Sequence, residues 1–148
     1  MFSGTFDLPF GEEQGGKRPT GLVARLFGNI EAAPILIVGS GRPVNPVVGI
    51  DANHSGAFPL SSRPLGFGRN VLRTSNQVEV DLRLLKFFKI GEHGKLDLVA
   101  ESFNVLNHTN VTALNQFFGP DATPIPMFNT PNRAGIARQL QFSIDFEF

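Results

Sequence analysis

The last ten residues alternate without a break. Leu140, Phe142, Ile144, Phe146 and Phe148 fall on one parity, and Gln139, Gln141, Ser143, Asp145 and Glu147 on the other. Side chains of a strand point to opposite faces with a period of two, so this stretch is expected to be a strand with one apolar and one polar face. Chain ends of water-soluble domains usually fray, and their most apolar stripe is rarely the last one. A strand between lipid and a polar lumen has this pattern, as in an outer-membrane β-barrel.

The same pattern recurs upstream. Phe2, Gly4, Phe6, Leu8 and Phe10 alternate with Ser3, Thr5, Asp7 and Pro9. Asn29 to Val38 is strand-like, with Pro34 removing one ladder donor. In Asn76 to Ile90, Val78, Val80, Leu82 and Leu84 oppose Gln77, Glu79, Asp81 and Arg83. In Lys95 to Phe103, Leu96, Leu98 and Ala100 oppose Lys95, Asp97 and Glu101. Leu22 to Phe27 fits either a rising strand or a short helix.

The connections alternate in length. The polar turn Gly11 to Lys17 and the tight turn Gly91 to Gly94 are short, whereas 39–75 and 104–137 are long, rich in Gly, Pro, Asn and Ser, and lack sustained periodicity. Membrane barrels have short periplasmic turns and long extracellular loops. A tail strand running toward the periplasm puts both long loops outside and both short turns inside. The expected fold is therefore all-β, an antiparallel up-and-down meander of about five strands, each near the roughly 9–11 residues a tilted membrane strand needs. Closed membrane barrels start at about eight strands, so the meander is expected to be part of a larger barrel.

Composition narrows the function. The formal charge is zero over 148 residues, which argues for neither a nucleic-acid nor a cationic partner. Absence of cysteine removes disulfides, thiolate metal sites and cysteine nucleophiles. No apolar run approaches the roughly 20 residues of a transmembrane helix, and Met1 is followed directly by strand-like sequence instead of a signal peptide.

Several short motifs offer chemistry, each with a plainer alternative. Gly39-Ser40-Gly41 after Ile35 to Val38 imitates a dinucleotide turn, but Val44 stands at the third glycine, and Pro43 and Pro46 prevent the helix that would hold a pyrophosphate. Asp51, Asn53 and Ser55, followed by Gly56, match the first half of a calcium loop, a weak metal candidate because Ser62 stands where the bidentate Glu belongs. His54, His93 and His108 are scattered, and no Gly-x-Ser-x-Gly elbow is present. The Asn-x-Ser/Thr triplets at Asn53, Asn107 and Asn110 are expected by chance in Asn-rich loops. No enzymatic activity and no cofactor are expected. Glu79, Asp81, Arg83 and Glu101 share the polar faces of neighbouring strands and are expected to face the lumen, as a salt-bridged wall or a solute path.

Longer motifs carry a resemblance. Ile35-Leu36-Ile37-Val38-Gly39-Ser40-Gly41-Arg42-Pro43-Val44-Asn45 resembles the strand end QSGRPFN of Oar-like TonB-dependent receptors. Gly49 to Asn53, Arg63-Pro64 and Gly66 to Asn70 are similar to that family's Asp/Asn-rich loop and its following RP and GRN elements. Asp81 to Leu84 with Phe87 to Ile90 is similar to DLRLSKRFRI. Ala100 to Asn110 is similar to AEFFNLFNHTN, the most specific match, and Arg138 to Phe142 resembles the final RQIQLGLKF. The matches keep family order over roughly residues 28 to 148. Ser143 stands where the family's terminal signal has Gly, and Phe is the only aromatic type present.

The resemblance implies that residues 1–148 are the C-terminal strands of a roughly 22-stranded outer-membrane barrel, with the plug domain and signal peptide absent from the chain. It implies a role in energised solute uptake, through barrel wall, extracellular ligand-capture loops and a terminal assembly signal formed by Leu140, Phe142, Ile144, Phe146 and Phe148. Implied partners are outer-membrane lipid, the barrel-assembly machinery, the rest of the barrel and plug of the parent receptor, and an unidentified extracellular ligand, with no nucleic acid. The competing expectation is a soluble antiparallel β-sandwich binding module, whose apolar faces would bury against each other.

Overall fold

A computed structural model describes residues 1–8, 21, 27–56 and 62–148. The expectations for Pro9 and Phe10, for the turn at 11–17 and for most of the ambiguous segment at 22–27 lie outside these residues. So do residues 57–61 of the first long loop.

All ten elements with described bounds are strands: β1 (Phe2–Ser3), β2 (Phe6–Asp7), β3 (Ile30–Gly39), β4 (Pro43–Val44), β5 (Leu72–Arg73), β6 (Gln77–Ile90), β7 (Gly94–Phe103), β8 (Val111–Leu114), β9 (Pro131–Ala134) and β10 (Gln139–Glu147). The fold is thus all-β. Among the described residues no helix is long and apolar enough to cross a membrane, which says nothing of crossing by strands. The chain divides into a strand unit (1–37, 79–108 and 137–148) and a loop unit (38–78 and 109–136).

The main sheet runs β1–β3–β6–β7–β10, with β2 also on β3. Neighbours in space follow chain order, as expected of a meander. Pairing is antiparallel for β1 and β2 on β3, β6 on β7, and β7 on β10. The first expected strand is broken in two. Phe2 faces Leu36 and Phe6 faces Ala32, a register that sets Gly4 opposite Pro34. Proline has no N–H to return, and Gly4 keeps only a long 3.4 Å bond to its carbonyl.

The register of β10 on β7 and β7 on β6 carries the alternation from strand to strand. One face stacks the rows Leu140–Ser102–Leu82, Phe142–Ala100–Leu84, Ile144–Leu98–Lys86 and Phe146–Leu96–Phe88. The other stacks Gln141–Glu101–Arg83, Ser143–Val99–Leu85, Asp145–Asp97–Phe87 and Glu147–Lys95–Lys89. Lys86 is the charged exception on the apolar face. Its Nζ donates to the Gly28 carbonyl at 2.9 Å and lies over the Phe88 ring, so its stem covers apolar surface while its head is satisfied.

The apolar face is uncovered. Leu140, Phe142, Ile144 and Phe146 are 64, 75, 71 and 54 % exposed. In the strand unit Val99, on the polar face, is the one buried apolar residue among those described. A sandwich would seal the row from Leu140 to Phe146 beneath a second sheet, whereas among the described residues that row is exposed.

The two long segments expected to be loops fold together instead. Each contributes strands: β4 pairs with β5 inside the first, and β8 pairs with β9 through a bulged register inside the second. A parallel bridge, Val47 with Phe117, joins the two segments, reinforced by Val47 N–H to the Gln116 carbonyl, Phe118 N–H to the Val47 carbonyl and Gly49 N–H to the Gly119 carbonyl. Val48, Leu72, Leu114 and Phe118 form a small core. Phe118 makes edge-on contacts with Phe67 and Phe128, at ring separations of 5.4 and 5.0 Å. Period-two reasoning is blind to such short, irregular pieces, which hold together only by meeting each other.

Candidate functional site

Polar residues gather in two places, the polar face of the strand unit and the loop unit. On the polar face, register sets Arg83 opposite Glu101, and Nε lies 3.6 Å from Oε1. Both side chains reach solvent, so the pair contributes at most about 1 kcal/mol. Lys95 Nζ meets Asp97 Oδ2 at 2.9 Å, and Asp97 stands directly opposite Asp145. Glu79 is half-buried on β6. Near the β6–β7 turn this face borders an open hollow of about 540 Å³, whose lining includes Asp7, Glu31, Phe87, Lys89, His93 and Lys95.

Asp81, expected to line the lumen, is committed to holding a corner. Its Oδ1 accepts the Asn104 N–H at 2.9 Å, just after β7 ends. Asn104 is 3 % exposed and sits at φ 51°. Its side-chain amide closes on one residue from both ends: Oδ1 accepts the His108 N–H and Nδ2 donates to the His108 carbonyl, each at 3.0 Å. Val105 N–H returns to the Val80 carbonyl, and Asn107 Oδ1 accepts the Arg138 N–H ahead of β10. The motif from Ala100 to Asn110 is therefore a knot tying β6, β7 and the approach to β10. Three residues on, Asn110 imitates a strand, its amide accepting from the Val78 N–H and donating to the Val78 carbonyl.

The other family-like motifs are likewise architectural. Gly41 approaches the backbone of Thr74 so closely that a Cβ would overlap the Thr74 carbonyl oxygen. The Arg42 N–H donates to Thr74 Oγ1 at 2.8 Å and the Thr74 N–H returns to the Arg42 carbonyl. Asn45 Oδ1 accepts the Asn70 N–H at 2.6 Å. Sequence reasoning matched these motifs but missed their geometry. The signal was the abundance of Asn: of six non-glycine residues at positive φ among the described residues, five are Asn (29, 70, 104, 107 and 129) and the sixth is His54. Asn tolerates that conformation best among ordinary residues.

Of the calcium candidates Asp51, Asn53 and Ser55, the first and last meet through hydrogen bonds. Asp51 is turned on its own loop: Oδ1 accepts from the Ser55 N–H, Ser55 Oγ and Ser62 Oγ, and Oδ2 accepts from the Gly56 N–H at 2.7 Å. These donors, the Ser55 backbone first, hold its carboxyl below the ordinary carboxylate value. Ser55, a supposed ligand, is thus a donor to Asp51, and Asn53 has no bond to either. The three histidines lie apart, and no group of three potential metal ligands occurs among the described residues. Asp51 and His54 border a second hollow, of about 290 Å³, floored by Val48, Ile50, Leu65 and Phe118.

Charge is divided between the units in a way the neutral total hides. The loop unit has five arginines, no lysine and two aspartates, a balance of +3. The strand unit has eight cations and eleven carboxylates, a balance of −3. No known family, curated protein or solved structure matches this chain.

Proposed function

We propose that the chain is the C-terminal barrel portion of an outer-membrane TonB-dependent receptor. The strand unit contributes lipid-facing wall, and the two long connections form extracellular loops that help capture a ligand for energised uptake. The observation that carries this reading is an apolar face that continues over three strands, strongly exposed on β10 and half-buried on β7, backed by a face bearing Arg83, Glu101, Asp97 and Lys95. That is the division of a barrel wall between hydrocarbon and lumen. Taking Leu140, Phe142, Ile144 and Phe146 out of water would gain on the order of 5–10 kcal/mol, which exposure to buffer forfeits. The resemblance of the motifs, in order along the chain, supports the receptor class. The row from Leu140 to Phe148 serves as the strand recognised by the barrel-assembly machinery through its edge.

The chain has no cysteine, so single cysteines can be introduced cleanly. Leu140→Cys, Phe142→Cys and Ile144→Cys, and in parallel Gln141→Cys, Ser143→Cys and Asp145→Cys, are labelled with an environment-sensitive fluorophore after reconstitution in lipid vesicles. Labels on the first set are expected to shift blue and be quenched by brominated acyl chains, and those on the second set to do neither. Equal quenching on both faces, or a folded, monodisperse wild-type monomer in buffer without detergent, refutes the proposal.

A further inference from the structure

We infer that the 290 Å³ hollow of the loop unit binds a small arylalkyl amine, its ring against the apolar lining and its ammonium group at Asp121. This goes beyond the proposed receptor role by naming a binding site and a ligand class. It stands on the loop unit alone, to which every lining residue belongs, whatever surrounds the strands. Three stretches of chain meet to make the hollow. The Val48 N–H donates to the Ser62 carbonyl at 3.0 Å and the Gly49 N–H to the Gly119 carbonyl at 2.9 Å. The chain then turns tightly, because Gly119 has no Cβ to overlap the Thr123 carbonyl oxygen. That turn brings Asp121 and Ala122 to the lining, with Val48, Ile50, Leu65 and Phe118.

Size and polarity select the ligand. Val48 and Phe118 are buried, but Ile50 and Leu65 stay 43 and 68 % exposed, so an apolar group seated here covers surface that the fold leaves in water. A cavity of roughly 150 Å³ holds one benzene ring, and about twice that volume takes a ring with a short polar arm. The sign of the arm follows from the lining. Although the unit as a whole carries +3, no Arg or Lys lines the hollow, whereas Asp51 and Asp121 both do. An anion would be repelled by both carboxylates and a cation attracted by both. The Asp51 oxygens already accept from Ser55, Gly56 and Ser62. Asp121 uses Oδ1 for the Thr123 N–H at 2.8 Å, and no donor among the described residues meets its Oδ2, which makes it the pairing group. A metal ion fits less well, since it needs several free oxygens.

The test uses the whole chain in zwitterionic micelles, its β-structure verified by circular dichroism. Phenethylamine, the neutral 2-phenylethanol, the anionic phenylacetate and the ringless ethylamine are titrated, with free ligand set by equilibrium dialysis. The methyl resonances of Val48, Ile50 and Leu65 report occupancy of the hollow. Phenethylamine is expected to shift them saturably, with a dissociation constant on the order of 0.1–1 mM. The alcohol should bind about threefold or more weakly, and phenylacetate and ethylamine should not bind. Asp121→Asn, which keeps an acceptor for the Thr123 N–H, should weaken the amine about threefold or more and leave the alcohol within about twofold. Ala122→Leu adds bulk at the lining and should abolish binding of both. Glu92→Gln, which removes an exposed carboxylate between β6 and β7, should leave the amine within about twofold. Absence of saturable methyl shifts, alcohol or phenylacetate binding as tightly as the amine, an amine affinity indifferent to Asp121→Asn or Ala122→Leu, or an equal loss in Glu92→Gln overturns the inference. Failure here leaves the cysteine-label pattern on β10 untouched, so the two proposals fail separately.

Discussion

Asn104→Ala tests whether the corner after β7 holds the strand ends together. The substitution removes both side-chain bonds to His108, each 3.0 Å long, at a site 3 % exposed. Each such bond is worth about 1 kcal/mol net. It also places alanine at φ 51°, where a Cβ without a polar side chain costs about another 1 kcal/mol. The total is about 3 kcal/mol. Asn104→Gly relieves the backbone cost but restores neither bond, so it should destabilise by about 2 kcal/mol. Both variants leave the backbone bond from residue 104 to Asp81 in place. Urea unfolding of the chain in micelles, followed by circular dichroism, gives the midpoints and slopes. The order wild type, Gly, Ala is expected, with unchanged slope. Ala within about 0.5 kcal/mol of wild type, or Gly less stable than Ala, would refute the corner as described.

Three other perturbations follow from the same geometry. Gly41→Ala forces β4 away from Thr74 and should cost about 2 kcal/mol or more, with proteolysis appearing first within 38–78; unchanged protease resistance would count against the close approach. The lowered pKa of Asp51 makes its contribution to the loop fully present above the ordinary carboxylate value of 3.8 and lost as pH falls through the lower folded value. Cleavage within 51–62 by an acid-stable protease should therefore rise below about pH 4, and Asp51→Asn should abolish that pH dependence. A double-mutant cycle on Arg83 and Glu101 should return under about 1 kcal/mol, since the pair is 3.6 Å long and open to solvent; a coupling several times larger would mean a drier polar face than the structure has.

The strand unit was legible from residue pattern. A two-residue period needs only the chain's own geometry, and it placed the strands at 29–38, 76–90, 95–103 and 139–148 close to their observed bounds. It also put Leu140, Phe142, Ile144 and Phe146 on a shared face. Pro34 is a weak point legible in the sequence, but that it splits its partner strand at Gly4 depends on register. The loop unit was not legible. Its pieces are too short for periodicity and are stable only through contacts between segments far apart in sequence, such as Val47 with Phe117. The roles of Asp81, Asn104 and Asn110 depend on hydrogen bonds across tens of residues, which local pattern does not carry.

By itself, then, the order of amino acids determined which side of each ribbon is oily and how the ribbons follow one another, because side-chain direction on an extended backbone is a local property. Only the tertiary structure decided that two long connections become one small cored body, and that arginines from 38–78 and 109–136 are counted together. A total charge sums over the whole chain, whereas the charge of a unit depends on which distant segments the fold gathers into it.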